Sequence, residues 1–131
     1  MTLRYGIDTS VLVGLLTRQP SEDFSYCRNR LRELVEDGSE IFASNQVIAE
    51  AYVTVQHHYE ISREDARIAL LRVLRSGLVS PLNGQDVLAI LSESGQPGLF
   101  DRLIADGYRR AGLEVLTLDR RMARLPQVSR L

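Results

Sequence analysis

Four acidic residues stand where chemistry could be built: Asp8, Glu50, Asp101 and Asp119. Asp8 closes the alternating stretch Leu3-Arg4-Tyr5-Gly6-Ile7 and opens into an apolar run at Val11, which predicts a strand, an acid and then a helix. Asp119 ends the stretch Glu114 to Leu118 in the same manner. In a parallel sheet both acids lie on the carboxyl rim, where open α/β sheets bind their ligands. Asp101 stands at or near the start of a helix predicted to lead into the strand Glu114 to Leu118. A helix preceding a parallel strand runs antiparallel to it, so its N-terminus faces the same rim. Glu50 lies one to two turns inside a helix that begins after the strand Glu40 to Ala43. Each acid also has a plainer reading taken alone: Asp8 is a good helix cap, and Glu50 is a residue at the edge of an apolar stripe. Taken together they repel, and some stay protonated unless a cation is bound. Hard oxygen donors suit Mg²⁺ or Mn²⁺, with water or a substrate phosphate completing the shell.

The remaining elements must position these acids. A helix over Thr9 to Thr17 is predicted to stop near Gln19-Pro20, because the residue before proline is pushed out of the α region. Ser21 caps a second helix to about Asp37, with Tyr26, Leu31, Leu34 and Val35 as its apolar stripe and Gly38 as its stop. Ser44 caps a helix through His58 that buries Val47, Ile48, Ala51, Tyr52 and Val55. Ser62 starts another to about Ser76, burying Ile68, Leu71 and Leu74. Leu78 to Leu82 reads as a short strand, and Gln85 to Ser94 as a helix. The helix around Asp101 carries Leu103, Ile104, Tyr108 and Ala111 and stops at Gly112. A short basic helix, Arg120 to Arg124, and a strand around Val128 close the chain. Helices alternating with short apolar strands imply a parallel sheet covered on both faces, in one domain over 1–131. His57 and His58 point about 100° apart on a helix and read as a helix end favoured by the dipole rather than as metal ligands. Arg28, Arg30 and Arg32, and Arg63, Arg67, Arg72 and Arg75, read as solvated helix faces.

Composition excludes several activities. All 16 basic residues are arginine, and the chain has no lysine. A Walker-type phosphate lysine, a Schiff-base lysine and a lysine beside an aspartyl phosphate are therefore absent. That counts against phosphoacceptor chemistry of the receiver or haloacid-dehalogenase kind at Asp8, and the latter also wants a second Asp where Ser10 stands. A net charge of −1 is not the footprint of bulk electrostatic nucleic-acid binding. Clustered arginines can still grip phosphates with their planar forks. No apolar run is long enough to span a membrane. Cys27 is the only cysteine, and no signal peptide is visible. A cytoplasmic protein is expected.

Asp8-Thr9-Ser10, Ser44 to Glu50, Asp101-Arg102-Leu103-Ile104-Ala105 and Thr117-Leu118-Asp119 together resemble the ordered motifs of the PIN domain, most closely the VapC-type ribonuclease toxins of prokaryotic toxin–antitoxin pairs. The resemblance covers nearly the whole chain. It implies a three-layer α/β/α sandwich with strand order 3-2-1-4-5. It makes Asp8, Glu50, Asp101 and Asp119 the acids that hold Mg²⁺ or Mn²⁺, and Thr9 and Thr117 the hydroxyls that orient them. It further implies RNA hydrolysis leaving a 5′-phosphate and a 3′-hydroxyl, a homodimer, and a cognate antitoxin that blocks the site. Metal ions both activate water and clamp phosphate oxygens, so arginines must hold the flanking phosphates. Arg102, Arg120 and Arg121 are nearest the acids in sequence. Two departures stand out: Arg102 follows the third acid, and Asp106 fills a helix position that is usually small. Asp106 lies about 140° around the helix from Asp101 and is expected at the surface or in a dimer contact. The alternative to a nuclease is a catalytically silent PIN scaffold that binds protein or RNA.

Overall fold

The computed structural model describes residues 3–17 and 21–131. The predicted stop at Gln19-Pro20 and the capping hydroxyl of Ser21 lie outside the described residues and side chains. The chain begins with β1 (Arg4–Gly6), α1 (Thr9–Thr17), α2 (Ser21–Glu36) and β2 (Glu40–Ala43). It continues through α3 (Asn45–His58), α4 (Arg63–Leu74), β3 (Ser80–Pro81), α5 (Gln85–Ser92) and α6 (Leu99–Arg110). β4 (Val115–Thr117), a 3₁₀ turn (Met122–Arg124) and β5 (Val128–Arg130) complete it.

The local signals act as their chemistry dictates. Ser44 caps α3 by accepting the Val47 N–H at 3.2 Å, and Ser62 caps α4 by accepting the Asp65 N–H at 3.1 Å. Gly38 and Gly112, past the ends of α2 and α6, both adopt the positive φ that glycine tolerates. The C-terminal basic segment forms only a 3₁₀ turn, entered after Asp119.

All strand pairs are parallel. β1 pairs with β2 in the register Arg4↔Glu40 to Gly6↔Phe42, and β2 pairs with β3 through Phe42↔Ser80. β4 pairs with β5 from Val115↔Val128 to Thr117↔Arg130. Each half keeps the expected order, β3-β2-β1 and β4-β5, but the two form separate sheets rather than one. The reason is local. β1 and β4 are three residues each and offer few ladder bonds, and the C-terminal pair has its own small core of Ala105, Val115, Met122 and Val128. The larger core joins Leu12 and Leu16 of α1, Ile41 of β2, Ile48 and Val55 of α3, Leu70 of α4, Leu91 of α5 and Leu103 of α6. With helices packed around parallel strands, this is the α/β architecture that the alternation predicts.

Four apolar stripes differ from expectation. α3 buries Ala49 and leaves Val47 and Tyr52 half-buried. Tyr26 of α2 is exposed, and the partly buried Cys27 packs against the core instead. α4 buries Ala66, Leu70 and Leu74, leaving Ile68 and Leu71 half-buried. α6 is turned furthest: it buries Leu103 and Ala105 together with Arg102 and Asp106, while Ile104 and Tyr108 face outward. A charged pair reaches the interior there only because each side chain finds fixed partners.

Candidate active site

The sequence places Asp8 between β1 and α1, and its carboxylate is shaped by that junction. Its Oδ1 accepts the Ser10 hydroxyl at 2.6 Å and the Val11 N–H at 3.3 Å. These bonds, the Ser10 hydroxyl first, hold its pKa below the ordinary aspartate value. Asp8 therefore does cap α1, with its second oxygen left free of this task. The next residue reaches across to α3: Thr9 donates from Oγ1 to Glu50 Oε2 at 2.6 Å, and Gln46 Nε2 donates to Glu50 Oε1 at 3.2 Å. Those donors, Thr9 foremost, lower the Glu50 pKa and keep it ionised. One hydroxyl thus links the first acid's helix to the second acid.

The other two acids meet in a cleft of about 480 Å³ lined by Asp101, Asp119, Tyr52, Arg63, Arg67 and Arg121, among others. Asp119 follows β4 and caps the 3₁₀ turn, its Oδ1 accepting the N–H groups of Arg121 at 2.8 Å and Met122 at 2.9 Å. Those backbone bonds, Met122 first, pull its pKa down. Asp101 sits in the first turn of α6 and is half-buried, and its carboxylate accepts no hydrogen bond among the described residues. Burial, and secondly the charge of Asp119, push its pKa up. The rim therefore holds three satisfied carboxylates and one that is not.

The four acids are grouped in two pairs, Asp8 with Glu50 through Thr9, and Asp101 with Asp119 across the cleft. Among the described residues no three acidic, histidine or cysteine side chains gather as a metal-binding group. Phe100 lines both the acid cleft and the neighbouring groove that Glu50 borders. The donor set of the Asp101–Asp119 pair fits a small hard cation. Two carboxylates lining one cleft, one of them raised in pKa by burial and secondly by the other's charge, are what a divalent ion relieves, and Mg²⁺ commonly takes only one or two protein carboxylates.

Several expected roles change. Thr117 Oγ1 accepts the Asp119 N–H at 3.0 Å, so it steadies the main chain of Asp119 and not its carboxylate. Arg102 is only 8% exposed; its Nη1 donates to the Ile90 carbonyl at 2.8 Å and its Nη2 to the Glu93 carbonyl at 3.0 Å. It ties the end of α5 to α6 and is not free to hold a substrate phosphate. Asp106, expected at the surface or in a dimer contact, is 2% exposed. Its Oδ2 accepts from Asn45 Nδ2 at 2.8 Å and from Asn83 Nδ2 at 3.1 Å, with Arg109 Nη2 3.9 Å from Oδ1. Arg120 is exposed and does not line the cleft, whereas Arg121 does. Arg63 and Arg67 of α4, read from sequence as a solvated face, also line it. Nothing local marks them, since their place depends on how α4 docks.

Parallel strands, covering helices and a cleft that closes on two carboxylates define an α/β protein with an acidic site at its strand ends. The model of the PIN domain family matches residues 5–128, and the chain belongs to that family. PIN domains are commonly nucleases. No curated protein matches the chain.

Proposed function

We propose that this PIN domain is a Mg²⁺- or Mn²⁺-dependent ribonuclease and the toxin of a type II toxin–antitoxin pair. The observation that carries the reading is Asp101: a half-buried carboxylate with no donor among the described residues, facing the negative Asp119 in an arginine-walled cleft. Asp101 and Asp119 are the principal ligands, with Asp8 and Glu50 completing the acid set from the other pair. A bound divalent ion supplies a more acidic water and stabilises charge developing on the phosphate. The chain's own residues do the rest. Ser10 and Thr9 keep Asp8 and Glu50 ionised at the rim, and the backbone N–H groups of Arg121 and Met122 fix the Asp119 carboxylate toward the cleft.

The same reading includes a homodimer. Phe100, Ile104, Tyr108 and Leu113 are exposed and line a groove of about 640 Å³ against Ala49 of α3. A contiguous apolar face of this kind is what a second copy covers. A cognate antitoxin would act by closing the acid cleft. No helix among the described residues is long and apolar enough to cross a membrane, and an RNA substrate places the work in the cytoplasm.

The test is cleavage of cellular RNA by purified wild-type protein and by Asp101→Asn, with Mg²⁺, with Mn²⁺ and with chelator. Wild type is expected to cut only with metal and to leave 5′-phosphate ends. Asp101→Asn is expected to lose at least about a hundredfold, since outer partners of metal ligands alone cost 10–100-fold. Wild-type protein that neither cuts RNA nor binds Mn²⁺ by calorimetry would instead mark a silent scaffold.

A further inference from the structure

The acid cleft contains four arginines, and they are not equivalent. Arg102 is buried against the carbonyls of α5. Arg67 donates from Nη1 to the Leu91 carbonyl at 2.6 Å and pairs with Glu64 through Nη2. Both guanidiniums are committed to the fold. Arg63 and Arg121 line the same cleft, are exposed, and have no hydrogen-bonded side-chain acceptor among the described residues. They come from opposite parts of the chain: Arg63 from the first turn of α4, Arg121 from the turn just after Asp119.

A cleft whose floor is carboxylate cannot attract a polyanion by itself, and the net charge of −1 gives no long-range help. Guanidinium forks with no hydrogen-bonded acceptor are the groups suited to phosphate, and the charge of Arg121, already felt by Asp119, lies beside the acids. We infer that Arg63 and Arg121 form the phosphate grip for an RNA strand bound in the acid cleft. The strand then runs from the 3₁₀ turn, across the Asp101–Asp119 pair, to the N-terminal end of α4. Tyr52 lines the same cleft. Arg102 and Arg120 take no part. This assignment rests on the nuclease reading and specifies the substrate path within it.

The test separates the two. Binding of a short fluorescein-labelled single-stranded RNA is measured by anisotropy with Ca²⁺ in place of Mg²⁺, from about 50 to 200 mM NaCl. Wild type, Arg63→Ala, Arg121→Ala, Arg63→Lys and Arg30→Ala are compared. Arg30 pairs with Glu33 on α2, outside the cleft. Arg63→Ala and Arg121→Ala should each bind about three- to tenfold more weakly, with the log–log salt slope shallower by about 0.7. Arg63→Lys keeps the charge and should keep the slope, and Arg30→Ala should match wild type. Matched melting temperatures exclude misfolding as the cause. Wild-type slopes in both alanine variants would overturn the grip while leaving the nuclease reading intact. Failure of wild type to bind RNA would overturn both.

Discussion

Asp101 and Asp106 lie five residues apart on one helix and show how differently a single scaffold can treat the same side chain. Asp106 is almost wholly buried yet satisfied, held by two asparagine amides with an arginine nearby. Asp101 is more exposed yet unsatisfied, with no donor among the described residues and with the charge of a second carboxylate acting on it. Burial pushes the Asp101 pKa up, and the supply of hydrogen-bond donors is what separates it from the more deeply buried Asp106. The fold spends its donors on Asp106 to tie α3, the β3–α5 loop and α6 together. It withholds them from Asp101, which is left to seek a partner from outside the chain. A stable buried acid and an available one are thus set side by side.

That contrast is open to direct attack. The largest effect is expected from Asp106→Ala, which removes the acceptor of the part-buried Asn83 amide and one of the two acceptors of the Asn45 amide, leaving the latter only the Leu103 carbonyl. A loss of about 3 kcal/mol of unfolding free energy is expected, measured by urea denaturation. If the unfolding midpoint barely moved, Asp106 would not be the structural member of the pair. A smaller effect is expected from Thr9→Val, which keeps the shape of the side chain but removes the hydroxyl that holds Glu50. Metal-dependent cleavage should fall about tenfold with stability little changed, the range found when partners of metal ligands are removed. The smallest effect has the opposite sign. Because the folded-state pKa of Asp101 is raised, its carboxyl favours folding while protonated and opposes it as pH rises through that pKa. In chelator, Asp101→Asn should therefore melt slightly higher than wild type at neutral pH, and the gain should vanish at pH values low enough to protonate Asp101. Adding Mn²⁺ should raise the melting temperature of wild type and not that of the variant. A variant that melts lower at neutral pH would remove the contrast.

Much of this was legible from residue order alone, because the signals concerned are local. Helix α1 over Thr9–Thr17, strand β2 over Glu40–Ala43 and the caps at Ser44 and Ser62 follow from turn chemistry and short-range periodicity. What escaped was decided by tertiary partners. Arg102 and Asp106 break the apolar pattern of α6, so a pattern-based reading turns that helix outward at those positions. Only the Ile90 and Glu93 carbonyls and the amides of Asn45 and Asn83, distant in sequence, explain why they face inward. Arg63 illustrates the reverse case. Its immediate neighbours are Ser62, Glu64 and Asp65, the surroundings of an ordinary solvated helix start, and only the docking of α4 brings it to the acids. The division into two sheets was likewise hidden, since strand propensity predicts extended backbone and not which edge it will pair with.

That division governs how the rim responds to anything that touches it. No ladder bond joins β1 to β4, so the interval between Asp8 and Asp119 is fixed by helix packing and not by the backbone lattice. Peptide ladders are stiff rulers; helix contacts slide. A particle that must touch both acids at once has to set that interval itself, and part of its intrinsic attraction is consumed in doing so. A particle content with Asp101 and Asp119 does not have to reach across to β1.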